Sequence, residues 1–157
     1  MIKLMLLRHA KTENQSKTGL DFDRQLAPKG QGQSKSMATH LTNIEFTDTV
    51  VFCSDAKRTV QTFEYLRAQN DIPSYILMHD LYLANRETLL NQLCKQTGDF
   101  SILLIGHNDG LSDLASYLTD DYIHLKTCTL LTLDVHAEDW SELTQGSCTI
   151  SGTYRPV

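Results

Sequence analysis

The sequence predicts an α/β fold with three layers, in which helices flank both faces of a mostly parallel central sheet. Three apolar runs, Lys3–Leu7, Thr49–Cys53 and Ser101–Ile105, have the composition of strands that are buried on both faces. Segments with apolar residues at helical spacing separate these runs, and such alternation is typical of α/β proteins. Because no repeat, linker or low-complexity segment interrupts the pattern, residues 1–157 are predicted to form a single domain.

The remaining elements follow from shorter runs and from helical periods. Ser74–Met78 and Leu130–Val135 are further candidate strands, and Ser147–Thr153 alternates weakly, as an edge strand does. Ser54 or Asp55 is available as the N-cap of the second predicted helix. Four helices are predicted, the first of them marked by a proline at its start, at Pro28 to about Ile44, Ala56–Ala68, Arg86–Cys94 and Gly110–Leu118.

Composition excludes several classes of function. Hydrophobic residues make up 41% of the 157 residues, which is enough to build a core. The net charge of −5 means that the bulk surface attracts neither nucleic acid nor anionic lipid, so a bound anion needs a local cluster of positive charge. The longest uncharged apolar run near the start, Leu4–Leu7, is too short for a signal peptide or a membrane span. The four cysteines are spaced too widely for a zinc site or a disulfide framework. We therefore expect a cytoplasmic protein that binds neither nucleic acid nor membrane.

Histidines and arginines follow three of the predicted strands. Arg8 and His9 follow the first, Arg58 lies shortly after the second, and His107 comes after the third. Because ligands of α/β sheets bind beyond the carboxyl ends of the strands, we expect these side chains to meet. Arginine matches phosphate oxygens, and a histidine can attack phosphorus to form a covalent phosphoenzyme. A second histidine, if protonated, adds positive charge in the transition state. The pattern predicts phosphoryl transfer that requires no metal ion and no cofactor.

Four segments resemble the motifs of the histidine phosphatase superfamily, which also contains the cofactor-dependent phosphoglycerate mutases. They are Leu7-Arg8-His9-Ala10-Lys11-Thr12, Ser54–Thr62, Gly106-His107-Asn108 and Asp23-Arg24-Gln25-Leu26-Ala27-Pro28-Lys29-Gly30. The last segment is similar to the Asp-Arg-Pro-Leu-Thr-x-x-Gly motif of the small branch of the superfamily, which is typified by the phosphohistidine phosphatase SixA. The length of 157 residues also fits that branch. The resemblance runs from about Leu4 to the Trp140 region and implies a phosphoglycerate mutase-like fold.

The resemblance also implies roles for the matching residues. His9 would be the nucleophile that becomes phosphorylated, and Arg8, Arg58 and His107 would form the phosphate pocket around it. Arg24 would reach the pocket entrance, where the groups flanking the phosphate lie. Further contacts to substrate oxygens are expected from Thr12, Asn14 and the backbone amide of Asn108.

This chain departs from the family pattern at three places. Ala10 replaces the glycine that is most common after the nucleophilic histidine, and Gln25 replaces a proline of the small branch. Asn108 stands where acid phosphatases carry an aspartate, and no glutamate of the mutase type is evident between the second and third motifs. This gap counts against a mutase and against an efficient phosphomonoesterase. The sequence leaves three candidates for a general acid: Asp80, Glu87 and Asp109.

The leading hypothesis is a phosphatase that acts on phosphohistidine in a signalling or phosphotransfer protein, and the resemblance implies a histidine-phosphotransfer domain as the partner. One alternative is a phosphatase of small phosphorylated metabolites, which would need a positioned acid and a larger cap over the site. Another is a module that binds phosphorylated proteins without turnover. Such a module needs the arginines but not His9, and the presence of His9 therefore disfavours it.

Overall fold

A computed structural model describes residues 2–157 of the chain. The strands are β1 (Lys3–Arg8), β2 (Thr49–Ser54), β3 (Tyr75–Met78), β4 (Ser101–Gly106), β5 (Leu130–Val135) and β6 (Cys148–Tyr154). The helices are α1 (Pro28–His40), α2 (Lys57–Gln69), α3 (Arg86–Cys94) and α4 (Gly110–Thr119). Each predicted strand and helix is present, with ends that differ by a few residues at most. Among residues 2–157, no helix is long and apolar enough to cross a membrane.

The six strands form one sheet in the order β3-β2-β4-β1-β5-β6. The pairings of β1 with β4, β2 with β4 and β2 with β3 are parallel, whereas β5 pairs antiparallel with β1 and β6 antiparallel with β5. The predicted mostly parallel sheet is confirmed, and β6 is an edge strand as expected. Arg8 lies opposite Gly106 and Cys53 lies opposite Ile105, so the carboxyl ends of β1, β2 and β4 are side by side.

Two hydrophobic cores cover the two faces of the sheet. Leu4 and Leu6 of β1 face one core, which also contains apolar residues of α3 and α4. Met5 and Leu7, which point the other way, face a second core with apolar residues of α1 and α2. Burial on both faces explains why the strands are nearly continuous apolar runs rather than alternating ones. The three-layer arrangement predicted from the sequence is confirmed.

One local prediction is wrong, and one helix changes its form before its predicted end. The N-cap residue of α2 is Ala56, and no side chain caps this helix. Neither Ser54 nor Asp55 takes that position, because Ser54 still belongs to β2 and its hydroxyl is bonded to a histidine ring. Helix α1 ends at His40 and continues only as a 3-10 turn over residues 41–43, short of the predicted end near Ile44.

Two glycines allow helices to hold loops at the carboxyl edge of the sheet. A Cβ atom on Gly30 of α1 would lie 1.9 Å from the carbonyl oxygen of Lys11. A Cβ atom on Gly110 of α4 would lie 1.9 Å from the carbonyl oxygen of Ala84. Only glycine permits these approaches. Helix α1 therefore packs directly on the segment that follows β1, and α4 packs on the loop that precedes α3.

Candidate active site

A cavity of about 310 Å³ opens at the carboxyl ends of β1, β2 and β4. A larger cavity, of about 640 Å³, is lined by residues near the start of α3 and on α4 and contains none of the predicted site residues. The chemistry of the lining, rather than its volume, therefore identifies the candidate site. All eight residues predicted from the sequence line the smaller cavity: Arg8, His9, Thr12, Asn14, Arg24, Arg58, His107 and Asn108.

His9 is a buried imidazole with a defined tautomer. Its Nδ1 lies 2.8 Å from the carbonyl oxygen of Ala10. A carbonyl oxygen can only accept, so Nδ1 carries the proton and Nε2 keeps its lone pair. Burial lowers the pKa of His9 to about 4. The hydrogen bond to Ala10 raises this pKa, whereas the positive charges of Arg58 and Arg8 lower it further. At neutral pH, His9 is therefore uncharged and its Nε2 is available as a nucleophile.

His107 lies beside His9 at the end of β4, with 5.4 Å between the ring centroids. Its Nε2 is 2.8 Å from the hydroxyl oxygen of Ser54, which already accepts from the backbone N–H of Ala56. This pattern favours donation from the Ser54 hydroxyl to Nε2, with the imidazole proton on Nδ1. Burial, followed by repulsion from His9 and Arg58, lowers the pKa of His107 to about 3. The protonated form that the sequence left open is thus disfavoured, but neutral His107 can still donate a hydrogen bond from Nδ1.

Asp21 fixes two of the arginines. The two terminal nitrogens of Arg58 donate to the backbone carbonyl of Asp21 at 2.8 Å and to its Oδ2 at 3.0 Å. Arg24 donates to Oδ1 at 2.9 Å, and the hydroxyl of Tyr82 donates to Oδ2. Partial burial opposes ionisation, but the hydrogen bonds from Tyr82, Arg24 and Arg58 hold the pKa of the Asp21 carboxyl well below its usual range. Asp21 is therefore a permanent carboxylate in the wall of the cavity.

Three of the four residues predicted to contact substrate have side chains that are already bonded within the protein. Arg24 donates to the hydroxyl of Thr12, so these two side chains hold each other. The side-chain amide of Asn108 donates to the carbonyl oxygen of Leu125 at 2.7 Å and accepts from Ser112. The bond to Leu125 anchors the loop before β5. Only the backbone amide of Asn108 then remains as the predicted contact to a substrate oxygen. Asn14 lines the exposed side of the cavity.

Unsatisfied polar atoms are concentrated in this cavity. Within residues 2–157, the buried side-chain nitrogens and oxygens without a hydrogen-bond partner are Nε of Arg8, Nε of Arg58 and Nδ1 of His107. Buried polar groups are almost always bonded, so these three nitrogens are donors available to acceptor atoms that enter the cavity. In the part of the chain that the structure describes, four cationic side chains and a single carboxylate, that of Asp21, line the cavity. The site is therefore suited to an anion that has several oxygens.

None of the three candidate acids lines this cavity. Asp80 accepts a hydrogen bond from the side chain of Gln92, and Glu87 lines the larger cavity instead. Asp109 is exposed before the start of α4; its charge raises the pKa of Arg8, although burial of Arg8 has the larger, lowering effect. The one carboxyl group in the wall, that of Asp21, is ionised and has no proton to give.

The sequence interpretation missed four residues that line the cavity: Lys11, Asp21, Leu83 and Thr127. A signal for Asp21 was available, because it stands three residues before Arg24, a spacing at which opposite charges pair in a helical turn. Leu83 lies in the loop before α3, and nothing in the local sequence indicates that this loop reaches the carboxyl edge.

Comparisons with known proteins agree with this geometry. The sequence profile of the histidine phosphatase superfamily (branch 1) matches residues 4–81. An uncharacterized chloroplastic protein of Arabidopsis thaliana is 32% identical over 151 residues, which cover 89% of this chain and 69% of that protein. The match extends beyond the segment that the family profile covers.

Solved structures share the fold. A protein assigned as the phosphohistidine phosphatase SixA of Nakamurella multipartitia superposes with a TM-score of 0.84 at 21% identity, over 99% of this chain and 96% of that one. The protein histidine phosphatase SixA, solved with tungstate, superposes with a TM-score of 0.81 at 21% identity, over 98% of this chain and 97% of that one. A phosphoserine phosphatase of Entamoeba histolytica superposes with a TM-score of 0.68 at 15% identity, over 99% of this chain and 98% of that one. The profile match and the sequence relative, together with the shared fold and the motifs at the strand ends, show that the chain belongs to the histidine phosphatase superfamily.

Proposed function

We propose that this protein is a phosphatase that acts through a phosphorylated His9, and that its substrate is phosphohistidine in a signalling or phosphotransfer protein. The observation that carries the proposal is the set of unpartnered buried nitrogens of Arg8, Arg58 and His107 beside a histidine whose Nε2 is unprotonated. A phosphoryl group supplies acceptor oxygens for those nitrogens and an electrophilic phosphorus for Nε2.

The reaction has two steps. In the first, Nε2 of His9 attacks phosphorus while the bond between phosphorus and the substrate imidazole breaks. That imidazole, protonated by solvent on its other nitrogen, leaves as the neutral ring with the electron pair of the broken bond. In the second, water attacks the phosphorylated His9, releases inorganic phosphate and regenerates the neutral ring. Arg8, Arg58 and Nδ1 of His107 would stabilise the oxygens in both transition states.

The lack of a protonated carboxyl in the cavity wall supports phosphohistidine over phosphate esters. An alkoxide is a poor leaving group that needs a proton from a positioned acid, and general acid catalysis is typically worth about 10²–10⁴-fold. The imidazolium ion has a pKa of roughly 6.5, so a phosphohistidine ring that solvent has protonated releases neutral imidazole without that help. We therefore expect the order phosphohistidine, then aryl phosphates, then alkyl phosphates such as phosphoserine.

The test compares phosphate release from four substrates: a histidine-phosphotransfer domain phosphorylated on its histidine, free phosphohistidine, an aryl phosphate and phosphoserine. The wild type should follow the order above, and His9→Ala should release phosphate from none of them. Efficient turnover of phosphoserine or a sugar phosphate would instead assign the protein to the metabolite phosphatases. Tight binding of the phosphorylated domain without release would favour the binding module.

The cytoplasm is the proposed location, because the four cysteines are free thiols and such thiols persist in a reducing compartment. The Arabidopsis relative carries a chloroplastic assignment in its name. Fractionation of cells that express the tagged protein tests this point, and enrichment in an organelle or in the membrane fraction would contradict it.

A further inference from the structure

Leu83 is an apolar side chain held at the mouth of a cationic cavity. It lines the cavity and is 54% exposed. Its backbone has a φ of 48°, in the left-handed region that a bulky residue such as leucine rarely adopts. Conformations of this kind cost roughly 1–3 kcal/mol and persist where the surrounding structure enforces them, often at sites of function.

The loop around Leu83 is fixed from both sides. On one side, the carbonyl oxygen of Ala84 packs against Gly110, where no side chain could fit. On the other, the hydroxyl of Tyr82 donates to Asp21, and the ring of Tyr82 packs edge-on against Phe22 with 5.0 Å between centroids. These contacts hold Leu83 in place although the residue itself is exposed and strained.

A second exposed leucine lies on the adjoining turn. Leu20 is 62% exposed and directly precedes Asp21, the residue to which Tyr82 is bonded. Leu20 and Leu83 therefore flank the same contact between two loops. We refer to these two residues as the leucine rim.

The leucine rim has no role toward the phosphoryl group itself. An apolar side chain neither binds phosphate oxygens nor offers a proton, and its exposure to water is unfavourable. Buried His9 and exposed Leu83 line the same cavity, so a phosphoryl group that reaches His9 brings whatever carries that group against the mouth of the cavity. A free metabolite ends near this point, whereas a phosphorylated side chain continues into a protein surface.

We propose that the leucine rim is a docking contact for apolar surface next to the phosphorylated histidine of a protein substrate. This inference rests on the proposed function and adds a prediction about recognition. Each leucine gains hydrophobic stabilisation only when a macromolecular surface covers it. The rim should therefore contribute to the binding of the phosphoprotein but little to the binding of free phosphohistidine.

The test substitutes Leu83→Asn, because asparagine tolerates a positive φ and the variant should therefore fold. The measured quantity is the ratio of kcat/KM on a phosphorylated histidine-phosphotransfer domain to kcat/KM on free phosphohistidine. We expect Leu83→Asn to lower this ratio by about fivefold or more, through KM for the domain, and Leu20→Ser to lower it in the same direction.

Ile150→Thr is the matched control. Ile150 is 48% exposed and lies on β6. It pairs with Leu133, and Leu133 pairs with Leu4, so Ile150 lies toward the end of the sheet opposite the cavity. This substitution should leave the ratio unchanged. A ratio that is also unchanged in both leucine variants would overturn the docking contact, as would an equal loss on both substrates. A wild type that is inactive on both substrates would instead refute the proposed function, and the docking contact with it.

Discussion

Asp21→Asn tests whether the carboxylate in the cavity wall positions Arg58 and Arg24. Asparagine keeps the size of the side chain, one acceptor oxygen and the backbone carbonyl that Arg58 also uses. It removes the negative charge that the two arginines and Tyr82 share. The change therefore weakens the hold on the guanidinium groups without opening a hole.

The magnitude follows from the contacts. Hydrogen bonds to charged groups contribute about 1.5–3 kcal/mol each. The Asp21 side chain is 42% exposed, so solvent screening reduces the loss to about 1–2 kcal/mol of transition-state stabilisation. At 1.36 kcal/mol per tenfold, kcat should fall about five- to thirtyfold. Inorganic phosphate should bind as well as before or better, because a negative charge has left the cavity wall.

The assay is kcat on an aryl phosphate together with the inhibition constant of inorganic phosphate. Asp23→Asn is the control, because Asp23 lies in the same turn but accepts from the hydroxyl of Thr18 and does not line the cavity. A kcat within twofold of the wild type would refute the positioning role. So would a parallel loss of kcat and phosphate affinity, which would indicate a general collapse of the site.

Four further predictions concern protons, metals and the candidate acids. Because burial lowers the pKa values of His9 and His107 to about 4 and about 3, their C2-proton NMR shifts should not titrate above pH about 5, and a transition near 6.5 would contradict the buried geometry. Because the pKa values of both histidines are lower in the folded protein, the unfolded chain binds more protons than the folded one as pH falls from about 6.5 towards 4. The urea concentration at the midpoint of unfolding should therefore fall over that range. Chelators should leave activity intact and vanadate should inhibit strongly; activity lost in chelator and restored by a divalent ion would refute this. Amide substitution of Asp80, Glu87 or Asp109 should change phosphohistidine turnover only modestly, and a hundredfold loss would identify an acid.

Sequence reasoning could predict that the candidate site residues meet, because the geometry of a parallel sheet is regular. Arg8 ends β1, and His9 and His107 directly follow β1 and β4, whose apolar runs are evident. Parallel strands bring their carboxyl ends together whatever the helices do. The same regularity places Arg58, which lies in the first turn of α2 just after β2. Those positions depend on local patterns and on one topological rule.

The parts that sequence reasoning did not give depend on contacts between distant segments. Asp21 becomes part of the site only because its short 3-10 turn packs against α2, and no periodic pattern records that contact. The neutral state of His107 arises from burial beside another histidine and an arginine, which the residue type alone does not reveal. Leu83 reaches the cavity because Gly110 lets its loop pack on α4.

The most direct test of the account is the position of the phosphoryl group on the trapped enzyme. The wild type is mixed with excess phosphorylated domain, quenched in base, where phosphohistidine survives, and analysed for the site and isomer of the modification. Because Nδ1 of His9 donates to the carbonyl of Ala10, the label should be on Nε2 of His9 and should be absent from His9→Ala. A label on Nδ1, a label on another residue, or turnover without any covalent label would contradict the account.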